Sequence, residues 1–166
     1  MDKSGFARWF PLGSHLCREP MPPMAELKRD MENLKRRGFN LIKLQEHWAV
    51  DEPQEGRFDF SRYEELIDHA AKLDLGVYLG LTCEQAPPWL FRKHPDCRME
   101  RQDGTRVAYE ATATLPSDGK PGPCFDHPKA MKAQKRFIAR LVRQLGRHPN
   151  IVVGVDVEGN SSGVFG

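Results

Sequence analysis

Apolar residues recur along this chain in two rhythms, and the switch between them predicts its elements. A short run around Trp9 to Ser14 predicts a first strand. Pro22 and Pro23 then open a helix, since proline is tolerated in a first helical turn. Met24, Leu27, Met31 and Leu34 follow at helical spacing, and Gly38 supplies the stop. Phe39 to Leu44 is an unbroken apolar run between turn signals and predicts a buried strand. Ser61 and Glu64 form an S-x-x-E capping box, with Phe60 before it as a hydrophobic staple. Tyr63, Leu66, Ile67, Ala70 and Leu73 line one face of the helix that follows. Gly76 to Leu81 predicts a third strand. A further helix begins near Asp126 and Pro128, with Met131, Ile138, Leu141, Val142 and Leu145 as its stripe. After Pro149 and Asn150, the β-branched run Ile151 to Val157 predicts a fourth strand.

The order strand–helix, repeated, implies an α/β fold with a parallel sheet and helices packed outside it. An open doubly wound sheet and a closed (β/α)8 barrel share this grammar. No G-x-G-x-x-G follows the first strand, so nothing supports a dinucleotide fold. One connection is out of scale. From Glu84 to Phe125 there is little patterning beyond a helical turn at Pro88 to Lys93. Connections beyond about 15 residues are usually functional or disordered. This one follows a strand's C-terminal end, where α/β enzymes place their sites.

Composition narrows the choices only modestly. The chain has 166 residues, 39% of them hydrophobic and 29% charged, which suits one soluble domain spanning residues 1–166. The net charge of +2 is spread along the chain, and basic stretches such as Lys35, Arg36 and Arg37 read as solvated helix faces. No nucleic-acid partner is implied. No apolar run approaches the ~20 residues that cross a bilayer, so no membrane partner is expected. Met1 to Phe10 lacks the apolar core of a signal peptide. Cys17, Cys83, Cys97 and Cys124 form no C-x-x-C pair, and free thiols suit a reducing, cytoplasmic setting.

The strand ends hold the candidate chemistry. The second offers Gln45, Glu46, His47 and Trp48; the third offers Thr82, Cys83, Glu84 and Gln85, then Trp89; the fourth offers Asp156, Glu158, Asn160 and Ser161. In a parallel barrel these ends meet on one rim. Carboxylates beside tryptophan suit sugars, whose hydroxyls need acceptors and whose C–H faces stack on aromatic rings. Each residue also has a plainer reading: Trp48 as core, His47 hydrogen-bonded, Glu84 paired with an arginine, Trp89 packed beneath the long connection.

Gly38-Phe39-Asn40-Leu41-Ile42-Lys43-Leu44, followed by Glu52-Pro53-Gln54-Glu55-Gly56-Arg57-Phe58-Asp59-Phe60-Ser61, resembles the early barrel of clan A glycoside hydrolases. Ala86-Pro87-Pro88-Trp89-Leu90, with His94-Pro95 after it, is similar to the segment following the third strand of family 42 β-galactosidases. His148-Pro149-Asn150-Ile151-Val152-Val153-Gly154 is similar to the approach to that clan's fourth strand. The resemblance implies the first half of a (β/α)8 barrel, about four βα units of a fold that needs roughly 250 residues. It implies a retaining hydrolase with a carbohydrate substrate and no cofactor. Glu158 takes the position of the general acid/base, while the nucleophile of that clan lies on a later strand, outside this sequence. Retaining enzymes hold the two carboxyls about 5 Å apart. It also implies substrate contacts from Glu46, His47 and Trp48, and by their places after the third and fourth strands Glu84, Trp89 and Asn160 are expected to join them. Arg18 and Glu19 follow the first strand toward the same rim.

Two departures stand out. Val157 occupies the place of the clan's asparagine, and the stretch Leu115 to Cys124 has Lys120 but no arginine. They keep a second expectation open, a non-catalytic carbohydrate-binding or assembly domain. Such a half-barrel would self-associate through its open sheet edges. Some family 42 members hold zinc on cysteines, but His94, Cys97, Cys124 and His127 lack the tight pairs that preorganise such a site, so no metal is expected.

Overall fold

Four strands run parallel and lie in chain order: β1 (Gly13–His15), β2 (Leu41–His47), β3 (Gly76–Thr82) and β4 (Ile151–Val157). The computed structural model describes residues 10–16, 21–83, 85–106 and 122–157, with side chains described as far as 152 in β4. Helix α1 (Met24–Arg36) connects β1 to β2. The short α2 (Trp48–Asp51) and α3 (Ser61–Lys72) connect β2 to β3. A two-part connection leads to β4 through α4 (Pro88–Lys93), a 3-10 turn at Pro95–Cys97, and α5 (Pro128–Leu145). This is the parallel βα progression of the first half of a (β/α)8 barrel.

The core lies between the sheet and the helices. Ile42, Leu44, Val77, Leu79 and Leu81 are buried to 2% exposure or less, together with Leu27 and Met31 of α1 and Tyr63, Leu66, Ile67 and Ala70 of α3. Met24, Leu34 and Leu73 pack against its margin, completing the two predicted helical stripes. Gly38 adopts φ 86°, the left-handed conformation that a helix-ending glycine supplies without strain. Lys28 and Glu65 pair at 2.5 Å where α1 meets α3.

Four details depart from the sequence pattern, each for a physical reason. β1 is shifted to Gly13–His15, and Phe10 is exposed; Trp9 lies outside the described residues. β2 does not stop at Leu44 but continues through Gln45, Glu46 and His47, because β3 offers Gly80, Leu81 and Thr82 as ladder partners in register. The Ser61–Glu64 capping box does not form. Ser61 is already the first helical residue, and its N–H donates to Asp59 Oδ1 at 3.0 Å instead. The Ser61 hydroxyl and N–H together hold the Asp59 carboxyl below its usual range, while Glu64 pairs with Arg147. Finally, α5 buries Ala130, Ala133, Phe137, Leu141 and Leu145, not a stripe through Val142, which is 48% exposed. The Phe137 ring sets that rotation: it enters an aromatic cluster with Trp48, Phe58 and Phe60 at centroid distances of 5.5, 6.4 and 5.9 Å.

Candidate active site

Parallel strands bring their C-terminal ends to one rim, and the residues of β2 and β3 divide there between two faces. Lys43 lies over the Tyr78 ring at 4.8 Å, Gln45 Nε2 donates to Thr82 Oγ1 at 2.5 Å, and His47 Nδ1 pairs with Gln85 Oε1. These residues occupy the face opposite the helices, the concave side of a barrel. Gly80 leaves room for them, since a Cβ at that position would meet Gln45 Oε1 at 2.9 Å and that side-chain end would have to shift. Tyr63 Oη donates to the Gln45 carbonyl at 2.9 Å and ties α3 to the strand from behind.

Glu46 belongs to the other face. It is fully buried, and its carboxyl lies against those of Asp51 and the Cys83 thiol. Burial pushes its pKa well above the ordinary 4.5, and the hydrogen bond to Asp51 and that residue's charge push it further. Two carboxyls this close in an apolar setting disfavour each other's ionisation. Glu46 lies on the helix face, beneath the rim.

The two tryptophans are also packing residues in this arrangement. Trp48 is fully buried, stacked on Phe137 and edge-on to Trp89 at 6.5 Å. Its Nε1 donates to Glu52 Oε2 at 2.7 Å. Trp89 is 7% exposed, its Nε1 donates to the Glu52 carbonyl at 2.9 Å, and Arg136 covers its ring at 5.5 Å. His47 is 4% exposed and hydrogen-bonded. The plainer readings of Trp48 and Trp89 thus match their surroundings. Glu84, Glu158 and Asn160 lie outside the described residues, as do Arg18, Glu19 and Lys120. The backbone of β4 carries Asp156 opposite Gly80 and Val157 opposite Leu81.

Glu52 is the residue whose role the sequence did not disclose. Its carboxylate is buried and accepts from Trp48, from the Gly56 N–H at 2.7 Å, and from the Arg136 guanidinium. Gly56 adopts φ 81° to turn its N–H toward that carboxylate. The E-P-x-x-G-x-F-D-F-S block is thus a brace that locks the loop after β2 onto α5. The available signal was a helix with six cations and no acid, which must find its counter-charges elsewhere. Among the described residues, no three His, Cys, Asp or Glu side chains converge as metal ligands. His127 is engaged by Asp96 at 3.1 Å.

A parallel sheet with its strands in chain order, a polar rim and a long connection after β3 is the arrangement of the first half of a (β/α)8 barrel. The model of the β-galactosidase family of glycoside hydrolases, family 42, matches residues 21–160. The chain belongs to that family, of which it carries the N-terminal part of the barrel. The β-galactosidase LacZ of Heyndrickxia coagulans is 29% identical over 131 residues, 76% of this chain but 18% of that protein. BgaH of Haloferax lucentense is 24% identical over 123 residues, 74% of this chain and 17% of that protein. The crystal structure of the β-galactosidase from psychrophilic Marinomonas ef1 superposes with a TM-score of 0.74 at 19% identity, covering 89% of this chain and 22% of that one. The Halorubrum lacusprofundi β-galactosidase gives 0.73 at 23% identity, covering 87% and 20%. The chain therefore spans about a fifth of the length of these relatives.

Proposed function

We propose that this chain contributes the acid/base half of a retaining, β-galactosidase-like active site, with Glu158 as general acid and then general base. The observation that carries the reading is the family match through residue 160, together with a β4 that ends at Val157, one residue before Glu158. In this role Glu158 protonates the leaving glycosidic oxygen, breaking the C–O bond as a nucleophilic carboxylate on a later strand attacks the sugar. It then takes a proton from the water that releases the sugar. The nucleophile is supplied by a strand later than β4.

The substrate is a carbohydrate held by His47, Glu84 and Asn160, with Gln85 fixing the His47 ring. Glu46, Trp48 and Trp89 support the rim from beneath. Among the described residues Cys83, Cys97 and Cys124 form no disulfide, in keeping with a reducing cytoplasm. Among the described residues no helix is long and apolar enough to cross a membrane.

One observation favours a second reading, carbohydrate binding without hydrolysis by a self-associating half-barrel. Val157 replaces the asparagine that would engage the sugar near the reacting carbon, and β1 and β4 leave the sheet with two edges.

The test is aryl β-galactoside hydrolysis by the chain combined with the remaining βα units of a family 42 enzyme. Hydrolysis that falls about 10²–10⁴-fold in Glu158→Gln is expected, the usual range for losing a general acid/base. Undiminished turnover in that variant overturns the assignment. Galactoside binding by the wild-type mixture without any turnover favours the second reading.

A further inference from the structure

We propose that the cleft between α4 and the first half of α5 is a binding site for a small oxyanion, a phosphate or sulfate group carried on a small molecule. The cleft has a volume of about 440 Å³, within the range of small-molecule sites and too confined for a polyanion to lie along it. It stands on the helix side of the sheet, apart from the concave face that holds Gln45 and His47.

Its charge is lopsided. Lys93, Lys129, Lys132 and Arg136 line it together with His94, against the single carboxylate of Glu55. Glu55 pairs with Lys93 at 2.6 Å and with Arg136 at 3.4 Å, and both hold its carboxyl below the usual range. Glu52 takes the remaining side of Arg136. Lys129 and Lys132 are left over, and among the described residues neither forms an ion pair. Helix stability does not explain them. They sit at the start of α5, where the helix dipole disfavours positive charge, and α5 contains no acid to offset them.

The walls supply what a solvated lysine patch lacks. Trp89, Leu90 and Ala133 make a low-dielectric floor, and a concave apolar surface with an excess of positive charge focuses the field on whatever enters. Arg136 is preorganised, its guanidinium held by two carboxylates and lying over the rings of Phe58 and Trp89. An entering oxyanion would bridge Lys129 and Lys132 and compete with Glu55 for Lys93, forming charge-assisted hydrogen bonds.

The experiment is a calorimetric titration of the chain with inorganic phosphate and with glycerol 3-phosphate, at ionic strength held constant with sodium chloride and with glycerol as the neutral control. Saturable binding of both phosphates is expected, with a Kd on the order of 1 mM. The double variant Lys129→Gln/Lys132→Gln should weaken it about tenfold, a loss of roughly 1.4 kcal/mol. Arg143→Gln, on the same helix but outside the cleft, should leave it unchanged. Both lysines are exposed, and an unaltered Tm in the double variant shows that the fold is retained. Absence of saturation, equal weakening by Arg143→Gln, or tighter binding of an acidic peptide than of either phosphate overturns the proposal. Galactose should neither bind there nor compete, which separates this site from the rim.

Discussion

The Trp48 indole donates to the Glu52 carboxylate at 2.7 Å, and through that one buried acid the loop after β2 reaches Arg136, 84 residues further along the chain. Glu52→Ala would strand the Trp48 and Gly56 donors and leave Arg136 with Glu55 alone. Breaking a buried pair by removing one partner costs about 3–5 kcal/mol, and the partial exposure of Arg136 places this one near ~3 kcal/mol. The expected result is a lower urea midpoint with an unchanged slope.

Glu46→Gln should act in the opposite sense. The folded-state pKa of Glu46 is raised above its unfolded value, so its stability contribution is fully present below about pH 4.5 and is lost as pH rises through the folded value. An amide keeps a donor toward Asp51 and carries no proton to lose. The wild-type Tm should therefore fall on going from acid to alkaline pH more steeply than that of Glu46→Gln. The variant should be the more stable protein at pH 8, and the two curves should converge in acid. Parallel curves would show that the Glu46 pKa is not raised in the folded state.

Phe137→Ala and Val142→Ala lie on one helix and should differ sharply. Phe137 is fully buried against Trp48, Phe58 and Phe60, and truncating a core phenylalanine costs about 3–5 kcal/mol. Val142 is half exposed, and surface truncations usually stay within about 0.5 kcal/mol. Chemical denaturation of the two variants side by side gives the comparison.

Gly80→Ala tests the concave face. The new methyl would meet Gln45 Oε1 at 2.9 Å and Lys43 Cε at 3.2 Å, so the ends of those side chains must shift beside Thr82. Overpacking of this kind costs about 1–3 kcal/mol. Galactoside affinity should fall along with stability, whereas a methyl added on the helix face of the sheet would change stability alone.

The sequence disclosed most where side chains had one task. The stripes of α1 and α3 read directly because Leu27, Met31, Leu66 and Ile67 serve only as core. α5 misled because Phe137 and Ile138 begin two stripes one position apart, and only the partners waiting on the sheet side, Trp48 and Phe60, decide between them. β2 looked finished at Leu44 because polarity there resembles a strand end. Gln45 and His47 are polar because they face the concave side, and Glu46 because it meets Asp51 beneath the rim. Sequence periodicity cannot distinguish those causes. The rim's tryptophans were ambiguous for the same reason. What covers Trp48 lies on α5, far along the chain, and no local pattern reports it.

The long connection after β3 has a closed neck. Arg98 and Pro123 form a bridge, and the Cys124 N–H donates to the Cys97 carbonyl at 2.8 Å. Both ends of the intervening stretch are thus moored to the scaffold independently of what lies between them. Doubling such a stretch adds only about 0.6 kcal/mol of closure entropy. Evolution can lengthen, shorten or replace that cassette without disturbing the aromatic cluster or the Glu52 brace. The length of that cassette and the stability of the scaffold can therefore diverge on separate schedules within one gene.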